Sequence, residues 1–391
     1  MEYDFDKVIS RRNTGSLKWD IAEDELPLWV ADMDFVTAPA IRTAVEKRAA
    51  HGIFGYSILP EAWYQAYMQW WEKRHHFSIE RDWLIFTTGV VPAISTAVRR
   101  LTAPAENVLV QTPCYNIFFN SIRNNGRNIV QSPLRYENGT YSVDWEDLEK
   151  NLSDPQTTLM ILCNPQNPTG VIWNRETLQR IGELCHRYGV TVLSDEIHCD
   201  LTEPGKEYIP FASVSEINRQ ISVTCISPTK TFNLAGLQTA AVVVPDEKLR
   251  HKMWRALNTD EVAEPNAFAV DAAVAAFTES EEWLDALRAY LWGNKRYAEE
   301  YLKREVPQIG VIPGEATYLM WLDCTGLVGD SRAFYKFLRR EKKVFLSDGG
   351  QFGDNGRGFL RLNVACPRSI LEEGLKRFRQ GAEEWKSGRI R

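Results

Sequence analysis

The sequence predicts an α/β protein with a large domain, whose mostly parallel sheet is flanked by helices, and a smaller α/β domain at the C-terminal end. Three observations predict this fold. The chain has 391 residues, too many for one small core; short apolar runs alternate with helical patterns through its middle; and a second strand-and-helix pattern follows near the C-terminus. We expect residues 1–45 to form an N-terminal segment that joins the small domain, residues 46–285 to form the large domain, and residues 286–391 to form the small domain.

Five short apolar runs predict strands that are buried on both faces, as is typical of a parallel sheet. These runs are 107–111, 159–163, 190–194, 221–226 and 240–244. Between the second and third runs, residues 177–188 place apolar side chains at helical spacing, and Gly189 provides a C-terminal stop. Repeated units of strand, helix and strand indicate a mostly parallel sheet with crossover helices.

The C-terminal part of the chain predicts a separate, smaller unit. Residues 259–303 are largely helical in pattern and form a plausible bridge between the domains. Residues 314–323, 332–342 and 359–364 then predict a small α/β arrangement. Several glycines between 349 and 358 predict a flexible loop before the last strand.

Composition and charge exclude several classes of protein. Acidic residues outnumber basic ones by 52 to 46 and no basic block occurs, so we expect neither a nucleic-acid nor a membrane-surface partner. The N-terminal run 1–6 lacks the basic start and apolar stretch of a signal peptide, and no apolar run approaches the length of a membrane span. The sequence therefore predicts a cytoplasmic protein.

The cysteines favour a reducing compartment. Seven are present, mostly within apolar runs and without a C-x-x-C arrangement, which predicts buried free thiols. His198 and Cys199 are adjacent potential metal ligands. No further ligands stand at a suitable spacing, so we expect no metal site.

Lys230 lies in segment 227–233, directly after the apolar run 221–226, so its amine is delivered at the end of a buried strand. A buried ammonium readily gives up its proton, which makes lysine the usual residue for a Schiff base with a carbonyl cofactor. Gly-Val-Val at 89–91, Asn-Pro-Gln-Asn-Pro-Thr-Gly at 164–170, Asp-Glu-Ile-His at 195–198 and Phe-Leu-Arg-Leu-Asn at 359–363 accompany it. Together these segments indicate a pocket for pyridoxal phosphate (PLP).

Three polar residues near strand ends are candidates to contact the PLP ring. Asp195 could pair with the protonated pyridine nitrogen and keep the ring an electron sink, although a capping or loop role is the more common fate of such an aspartate. His198 could donate a hydrogen bond to the phenolic oxygen or lie satisfied in the core. Asn167 offers an amide to the same oxygen, unless its turn is only a proline-stiffened connection.

The start of a helical pattern at residues 89–101 predicts a phosphate site. Gly89, Val90 and Val91 would present free amides at the positive end of that helix. Ser227 and Thr229 add hydroxyl groups beside the lysine. As a motif the glycine start alone is weak, because many helices begin this way.

Arg361 lies on a predicted apolar strand, where a guanidinium needs a partner. It could clamp the α-carboxylate of a substrate or form an internal salt bridge. Tyr115 is a candidate to stack on the pyridine ring, although a tyrosine after a turn more often serves packing. Further candidates for the substrate lining are Trp29, Asp32 and Tyr318.

These motifs resemble those of fold type I PLP enzymes, the aspartate aminotransferase superfamily, over nearly the whole chain. The stretches at 26–35, 55–56 and 230–237 are similar to the MalY/PatB type of carbon-sulfur lyases, which cleave cystathionine or cysteine. The resemblance implies the PLP-dependent transferase-like fold and a homodimer. It assigns Lys230 to the Schiff base, Asp195 to the pyridine nitrogen, Asn167 to the ring oxygen, Arg361 to the substrate carboxylate and Tyr56 to the phosphate of the neighbouring subunit.

Two positions depart from the pattern. Many aminotransferases place an arginine eight residues after the lysine to hold the phosphate, and this chain has Gln238 there. Some close relatives are expected to have histidine between the two Asn-Pro pairs, where this chain has Gln166. The first departure leaves the phosphate to amides and hydroxyls, and the second could change substrate preference.

Three functions follow as hypotheses. The first is a β-eliminating carbon-sulfur lyase that forms a thiol, pyruvate and ammonia from cystathionine or cysteine derivatives. The second is a class I/II aminotransferase that uses the same pocket. The third is a PLP-binding regulator, which is disfavoured because such proteins usually carry an added DNA-binding domain and this chain begins directly at the enzyme-like segment.

Overall fold

The computed structural model describes residues 3–388. Met1 and Glu2 of the N-terminal run, and the last three residues of the predicted small domain, lie outside the described residues. The strands are β1 Leu26–Pro27, β2 Leu84–Thr87, β3 Asn107–Thr112, β4 Asn128–Pro133, β5 Arg135–Glu137, β6 Thr140–Ser142, β7 Thr157–Cys163, β8 Thr191–Asp195, β9 Ser222–Ile226, β10 Ala240–Val243, β11 Gly310–Val311, β12 Leu319–Asp323, β13 Val344–Phe345, β14 Ser347–Asp348 and β15 Phe359–Asn363.

The helices alternate with these strands. They are α1 Pro39–His51, α2 Glu61–His75, α3 Val90–Leu101, α4 Asn116–Asn124, α5 Trp145–Leu152, α6 Arg175–Arg187, α7 Glu216–Ile221, α8 Pro228–Thr231, α9 Glu247–Thr259, α10 Ala269–Glu279, α11 Glu281–Glu305, α12 Ser331–Lys342 and α13 Arg368–Lys386. Between residues 3 and 388, no helix has both the length and the apolar character that crossing a membrane requires.

The central sheet has the strand order β2-β10-β9-β8-β7-β3-β4. Its pairs are parallel except that β10 runs antiparallel to both β2 and β9. Consequently β2 runs in the same direction as the parallel strands. The predicted α/β class with a mostly parallel sheet is confirmed, and each of the five apolar runs overlaps a strand of this sheet.

Helices cover both faces of the central sheet. Alternate residues of a strand point to opposite faces, so Val110 of β3 packs in one core with Ile94 of α3. Leu109, the preceding residue, packs in the other core with Ile181 of α6. The strands are therefore buried on both sides, which explains why they are continuous apolar runs rather than alternating ones.

A second, antiparallel sheet has the order β11-β12-β15-β14. In its β12–β15 pair, Trp321 lies opposite Arg361. The N-terminal strand β1 pairs in parallel with β13, with Leu26 opposite Val344. Residues from the start of the chain are therefore held against its C-terminal part.

Two features of the fold differ from the sequence pattern. The helical region 259–303 is interrupted at residues 260–268, where Glu261 has a positive φ of 57° and Pro265 follows. The edge strand β4 gave no apolar run because half of its residues are exposed. At both places, contacts with neighbouring elements determine the conformation more than the apolar character of the local sequence does.

Candidate active site

The candidate site lies at the edge of the central sheet where the parallel strands end. β7 leads into turn 164–170, β8 ends at Asp195, β9 leads into α8, and β2 leads into Gly89. Carboxyl ends of parallel strands meet at one edge, so residues that are distant in sequence become neighbours there. The Asn164 amide donates to the Asp195 carbonyl at 2.9 Å, which joins two of these segments directly.

The short helix that carries Lys230 is fixed on both sides. Ser227 Oγ accepts a hydrogen bond from the Thr229 amide at 3.0 Å and so caps the helix start. Thr231 Oγ1, directly after the lysine, donates to Asp200 Oδ2 at 3.0 Å. These bonds hold the backbone of Lys230 in place with respect to the sheet.

Asp200 belongs to a buried polar cluster under α8. Trp70 Nε1 donates to its carboxylate at 2.9 Å, and His75 Nε2 makes a hydrogen bond of the same length. Potential ligand atoms of His75, Cys199 and Asp200 lie within 4.8 Å of one another. Burial raises the pKa of the Cys199 thiol well above its ordinary value, and a neutral thiol is a weak metal ligand. The cluster anchors Thr231, and we infer no metal site from it.

The amine of Lys230 faces the N-terminal segment. Nζ donates to the carbonyl of Ala31 at 2.5 Å. Burial lowers the pKa of the amine to about 8; the charge of Arg361 adds to this effect, whereas Asp32 and Asp195 oppose it. An appreciable fraction of the amine is therefore neutral near physiological pH, as a nucleophile or general base requires.

Asp195 is a buried carboxylate with spare hydrogen-bonding capacity. Within residues 3–388 its carboxylate accepts one hydrogen bond, from the Ile197 amide at 3.2 Å. Burial raises its pKa to about 6, while this hydrogen bond and the charge of Lys230 act in the opposite direction. A cationic N–H placed against the free oxygen would keep the carboxylate ionised.

His198 is buried and its Nδ1 atom has no hydrogen-bond partner in the described part of the chain. Burial, and then the positive charges of Lys230, Arg361 and Lys295, lower its pKa to about 3, so the ring is neutral. Buried polar atoms are nearly always paired. An unpaired ring nitrogen here favours a contact with a ligand over a satisfied core histidine.

Turn 164–170 is pressed against the loop that precedes β12. Gly170 has a φ of 75°, and a Cβ atom there would lie 2.9 Å from the Cα of Gly314, so a larger residue would displace backbone. The Ala316 amide donates to the Gly170 carbonyl at 3.0 Å. Gln166 Nε2 donates to the Pro113 carbonyl at 2.5 Å. Gln166, one of the two residues that depart from the expected pattern, thus links turn 164–170 to the turn that carries Tyr115.

Arg361 is buried and is bound by neutral groups. Nη1 donates to Asn167 Oδ1 at 3.0 Å, Nη2 donates to the Trp29 carbonyl at 3.1 Å, and the guanidinium lies 4.8 Å from the ring of Phe352. Nε has no partner among the described residues. Burial lowers the pKa of Arg361 to about 10, so it remains cationic. None of the ion pairs within residues 3–388 includes it, which disfavours the internal salt bridge.

Two aromatic residues of the predicted lining lie close to these groups. Tyr115, at the start of α4, is half-buried; burial raises its pKa, and the charges of Arg361 and Asp195 act on it in opposite directions. Trp29 stacks on Phe345 with ring centroids 4.7 Å apart. Trp29 binds Arg361 through its backbone carbonyl, and Tyr115 lies near enough to Arg361 for the charge of the guanidinium to lower its pKa.

The other two predicted lining residues have protein partners. The carboxylate of Asp32 is bound by Arg11 Nη2 at 2.7 Å and lies 3.6 Å from Lys18 Nζ. The charge of Asp32 raises the pKa of Lys230, but its carboxylate is already bound by other side chains. Tyr318 is fully buried, and its hydroxyl donates to the Ala31 carbonyl at 3.0 Å.

The two segments that the sequence predicts to bind phosphate are the start of α3 and the residues directly before α8. The amides of Val90 and Val91 make no hydrogen bond within residues 3–388, as expected at a helix start. Ser227 Oγ donates to the carbonyl of Thr239 at 2.7 Å, directly before β10. In the sheet, β10 lies between β9, which leads to Ser227, and β2, which leads to Gly89. Gln238, in place of the expected arginine, is exposed. The free amides are the strongest feature of this site.

Tyr56 is not brought into this pocket within one chain. It is fully exposed on segment 52–58, together with exposed Ile53, Phe54 and Ile58. An apolar, exposed segment of this kind is typical of an interaction surface.

Sequence reasoning assigned no role to Asn363 or Asn233, although both shape the site. Asn363 Nδ2 donates to the carbonyls of Val30 and Asp32, each at 2.7 Å. Asn233 Oδ1 accepts from the Met33 amide at 3.1 Å. A signal for Asn363 was available, since it stands two residues after Arg361 on one strand and therefore shares its face.

The arrangement fits PLP. The Lys230 amine could join its aldehyde and the free oxygen of Asp195 could accept its pyridine N–H. The Asn167 amide nitrogen, which has no protein acceptor within residues 3–388, could reach the ring oxygen, while the amides of Val90 and Val91 could bind the phosphate. Asp195, Asn167, Val90 and Val91 each keep hydrogen-bonding capacity that no protein group within residues 3–388 uses, and Lys230 Nζ is bound by the Ala31 carbonyl.

Comparison with known proteins supports this assignment. Residues 24–378 match the model of the family described as aminotransferase class I and II. The chain is 42% identical to the cystathionine beta-lyase PatB of Bacillus subtilis (strain 168) over 381 residues, which covers 96% of this chain and 98% of that protein. It is 34% identical to protein MalY of Escherichia coli (strain K12), with 95% and 97% coverage.

A solved structure also resembles this one closely. The crystal structure of cystalysin from Treponema denticola, which contains a pyridoxal 5'-phosphate cofactor, gives a TM-score of 0.95 at 33% identity and covers 98% of this chain and 100% of that chain. This similarity confirms the predicted PLP-dependent transferase-like fold. The family match and the relatives extend over nearly the whole chain, and the chain therefore belongs to the aminotransferase class I and II family.

Proposed function

We propose that this protein is a PLP-dependent carbon-sulfur β-lyase that cleaves cystathionine or cysteine-type substrates to a thiol, pyruvate and ammonia. The observation that carries the proposal is the proximity of three groups: the charges of the Asp195 carboxylate and the Arg361 guanidinium act on the Lys230 amine, and Arg361 has no acidic partner within residues 3–388. The choice of a lyase within the family is supported by the relative from Bacillus subtilis, which is named a cystathionine beta-lyase and is similar over nearly the full length of both chains.

Each residue has a defined task in such a reaction. Arg361 binds the substrate carboxylate through paired N–H groups, which orients the amino acid. Asp195 holds the proton on the pyridine nitrogen. When bound, PLP supplies an aldehyde that joins the substrate amine and a cationic ring that draws electron density from the α-carbon. Lys230 Nζ takes the α-proton as general base, which allows the thiolate to leave from the β-carbon.

The function is tested with the PLP-loaded protein and L-cystathionine. We expect pyruvate and thiol to form in equal amounts, measured by coupled reduction of pyruvate and by a thiol reagent. S-substituted cysteines should react in the same way, because the substituent leaves as the thiolate. A loaded enzyme that releases neither pyruvate nor thiol from this panel would not be a β-lyase.

A second candidate is an aminotransferase, because the family model is that of class I and II aminotransferases and the same residues serve both reactions. In this case Lys230 would return the α-proton to the cofactor carbon, and no thiolate would leave from the β-carbon. The same preparation is therefore given an amino donor and a keto acid. Conversion of the keto acid faster than pyruvate release from cystathionine would favour this candidate.

We propose further that the active form is a homodimer in which Tyr56 reaches the phosphate of the neighbouring subunit. The apolar segment 52–58 supports this arrangement, since Ile53, Phe54, Tyr56 and Ile58 are all exposed in the described part of the chain. We also place the enzyme in the cytoplasm, because all seven cysteines are buried free thiols, which suits a reducing compartment.

Mixed dimers test the shared site. Tyr56→Phe and Lys230→Ala chains should each be weakly active or inactive alone, but a hybrid dimer should contain one intact site. After subunit exchange, activity should rise to about a quarter of wild type, because about half of the dimers are hybrids with one intact site of two. No gain in activity after verified exchange would mean that both residues act within one chain.

A further inference from the structure

Three consecutive backbone carbonyls of the N-terminal segment each accept hydrogen bonds from side chains. Asn363 Nδ2 binds the carbonyls of Val30 and Asp32, both at 2.7 Å. The carbonyl between them, that of Ala31, accepts from Lys230 Nζ at 2.5 Å and from Tyr318 Oη at 3.0 Å. The catalytic amine and a buried phenol therefore share one oxygen atom.

The segment that carries this oxygen is held from two directions. Asn233 Nδ2 donates to the carbonyls of Met33 and Phe35, each at 3.0 Å, and Asn233 stands three residues after Lys230. Asn363 holds the segment from the antiparallel C-terminal sheet. The Ala31 carbonyl is thus fixed with respect to both α8 and β15.

We propose that Tyr318 is a positioning residue for the amine of Lys230: its phenol fixes the Ala31 carbonyl, and that carbonyl holds the ε-amine whenever the amine is not joined to the cofactor. This inference rests on the proposed function, because it requires Lys230 to be the base of the reaction. It assigns Tyr318 a task different from lining the substrate pocket.

The need for such a holder follows from the lysine side chain. A free amine on a four-carbon stem has many rotamers, and each turnover releases it from the cofactor. A fixed acceptor keeps the amine beside the α-carbon, which raises the fraction of time in which it can take the proton. Tyr318 itself is not the proton donor, since burial raises its pKa above the ordinary value.

Charged and titratable groups lie near the amine on several elements and influence its titration. Asp32 faces it from the N-terminal segment, Asp195 and His198 from the end of β8 and the loop that follows, and Arg361 from β15. Removal of the phenol leaves these groups in place. It also leaves the Ala31 carbonyl less firmly fixed, so the ammonium form of Lys230 loses part of its fixed acceptor and is favoured less.

The test is Tyr318→Phe, which removes one hydroxyl and keeps the buried ring. In the PLP-loaded enzyme we expect kcat for cystathionine to fall about tenfold while KM changes by less than about twofold. In the full chain freed of cofactor, we expect the pH at which Lys230 titrates, followed by its rate of reductive methylation, to fall by about half a unit.

Tyr141→Phe is the matched control. Tyr141 is also buried, and its hydroxyl accepts from Trp321 Nε1 at 3.0 Å, away from the lysine. It should leave both kcat and the Lys230 titration unchanged. If Tyr318→Phe folds poorly, Asn363→Ser, which loosens the flanking carbonyls, should lower kcat without raising KM.

The outcomes separate this inference from the proposed function. A wild-type enzyme that forms no pyruvate overturns the function. A wild-type enzyme that forms pyruvate, with Tyr318→Phe or Asn363→Ser matching it in kcat and in the titration of Lys230, overturns the positioning role alone. A fall in kcat that Tyr141→Phe reproduces would show a general loss of stability and would also overturn it.

Discussion

Replacing Lys230 with alanine is expected to lower the rate of pyruvate formation about 10⁴-fold or more, because the substitution removes both the group that joins the cofactor and the general base. The protein should still fold. The amine has no carboxylate partner at hydrogen-bond distance in the described residues. After the substitution, Tyr318 still donates a hydrogen bond to the Ala31 carbonyl. The measurement is pyruvate release from cystathionine at saturating PLP.

A second buried lysine provides a direct check on the assignment. Lys295 donates to the carbonyls of Gly314 and Ala316 at 3.3 and 2.9 Å, and burial lowers its pKa to about 7. Borohydride reduction of the loaded wild-type enzyme should fix the cofactor to Lys230 and not to Lys295. A label found at Lys295, or a Lys230→Ala variant within tenfold of wild type, would contradict the assignment.

Replacing Arg361 with methionine should lower kcat/KM for cystathionine by about 100- to 1000-fold, mainly through KM, because two charge-assisted hydrogen bonds to the substrate carboxylate are lost. The apolar chain of methionine should be tolerated at this buried position, since Arg361 has no acidic partner among residues 3–388 that would be left uncompensated. The kcat/KM of Arg361→Lys should lie between those of the wild-type enzyme and Arg361→Met, because lysine retains the charge but not the paired geometry.

A substrate without the carboxylate separates this role from a general disturbance. The decarboxylated analogue of an S-substituted cysteine should be a poor substrate for the wild-type enzyme. Arg361→Met should process the analogue about as well as the wild-type enzyme does. Equal losses toward the amino acid and the analogue would show that Arg361 does not bind the carboxylate.

Much of the fold could be predicted because the central strands are buried on both faces. Runs such as 159–163 and 190–194 are continuous apolar stretches, as is typical of strands that are covered on both faces. The orientation of β10 could not be predicted, since an antiparallel strand covered on both faces has the same apolar composition as a parallel one. The edge strand β4 was not visible for the opposite reason, as its residues are largely exposed.

The candidate site could be predicted in part for a topological reason. Asp195, Asn167 and Lys230 all follow strands that end at one edge of the sheet, so their proximity follows from the strand pattern. Arg361 arrives from a different sheet, and its contact with Asn167 required the structure. The role of the Ala31 carbonyl could not be predicted from the sequence either, because every residue has a backbone carbonyl whatever its side chain.

The pairing of β1 with β13 has a consequence for how the protein is made. Leu26 finds its partner Val344 only after most of the chain has been synthesised, and the stretch following β1 forms one wall around Lys230. A ribosome-bound chain that ends before residue 344 therefore exposes this lysine on an unfinished surface. The wall around Lys230 is therefore completed only after residue 344 has been synthesised and β1 can pair with β13.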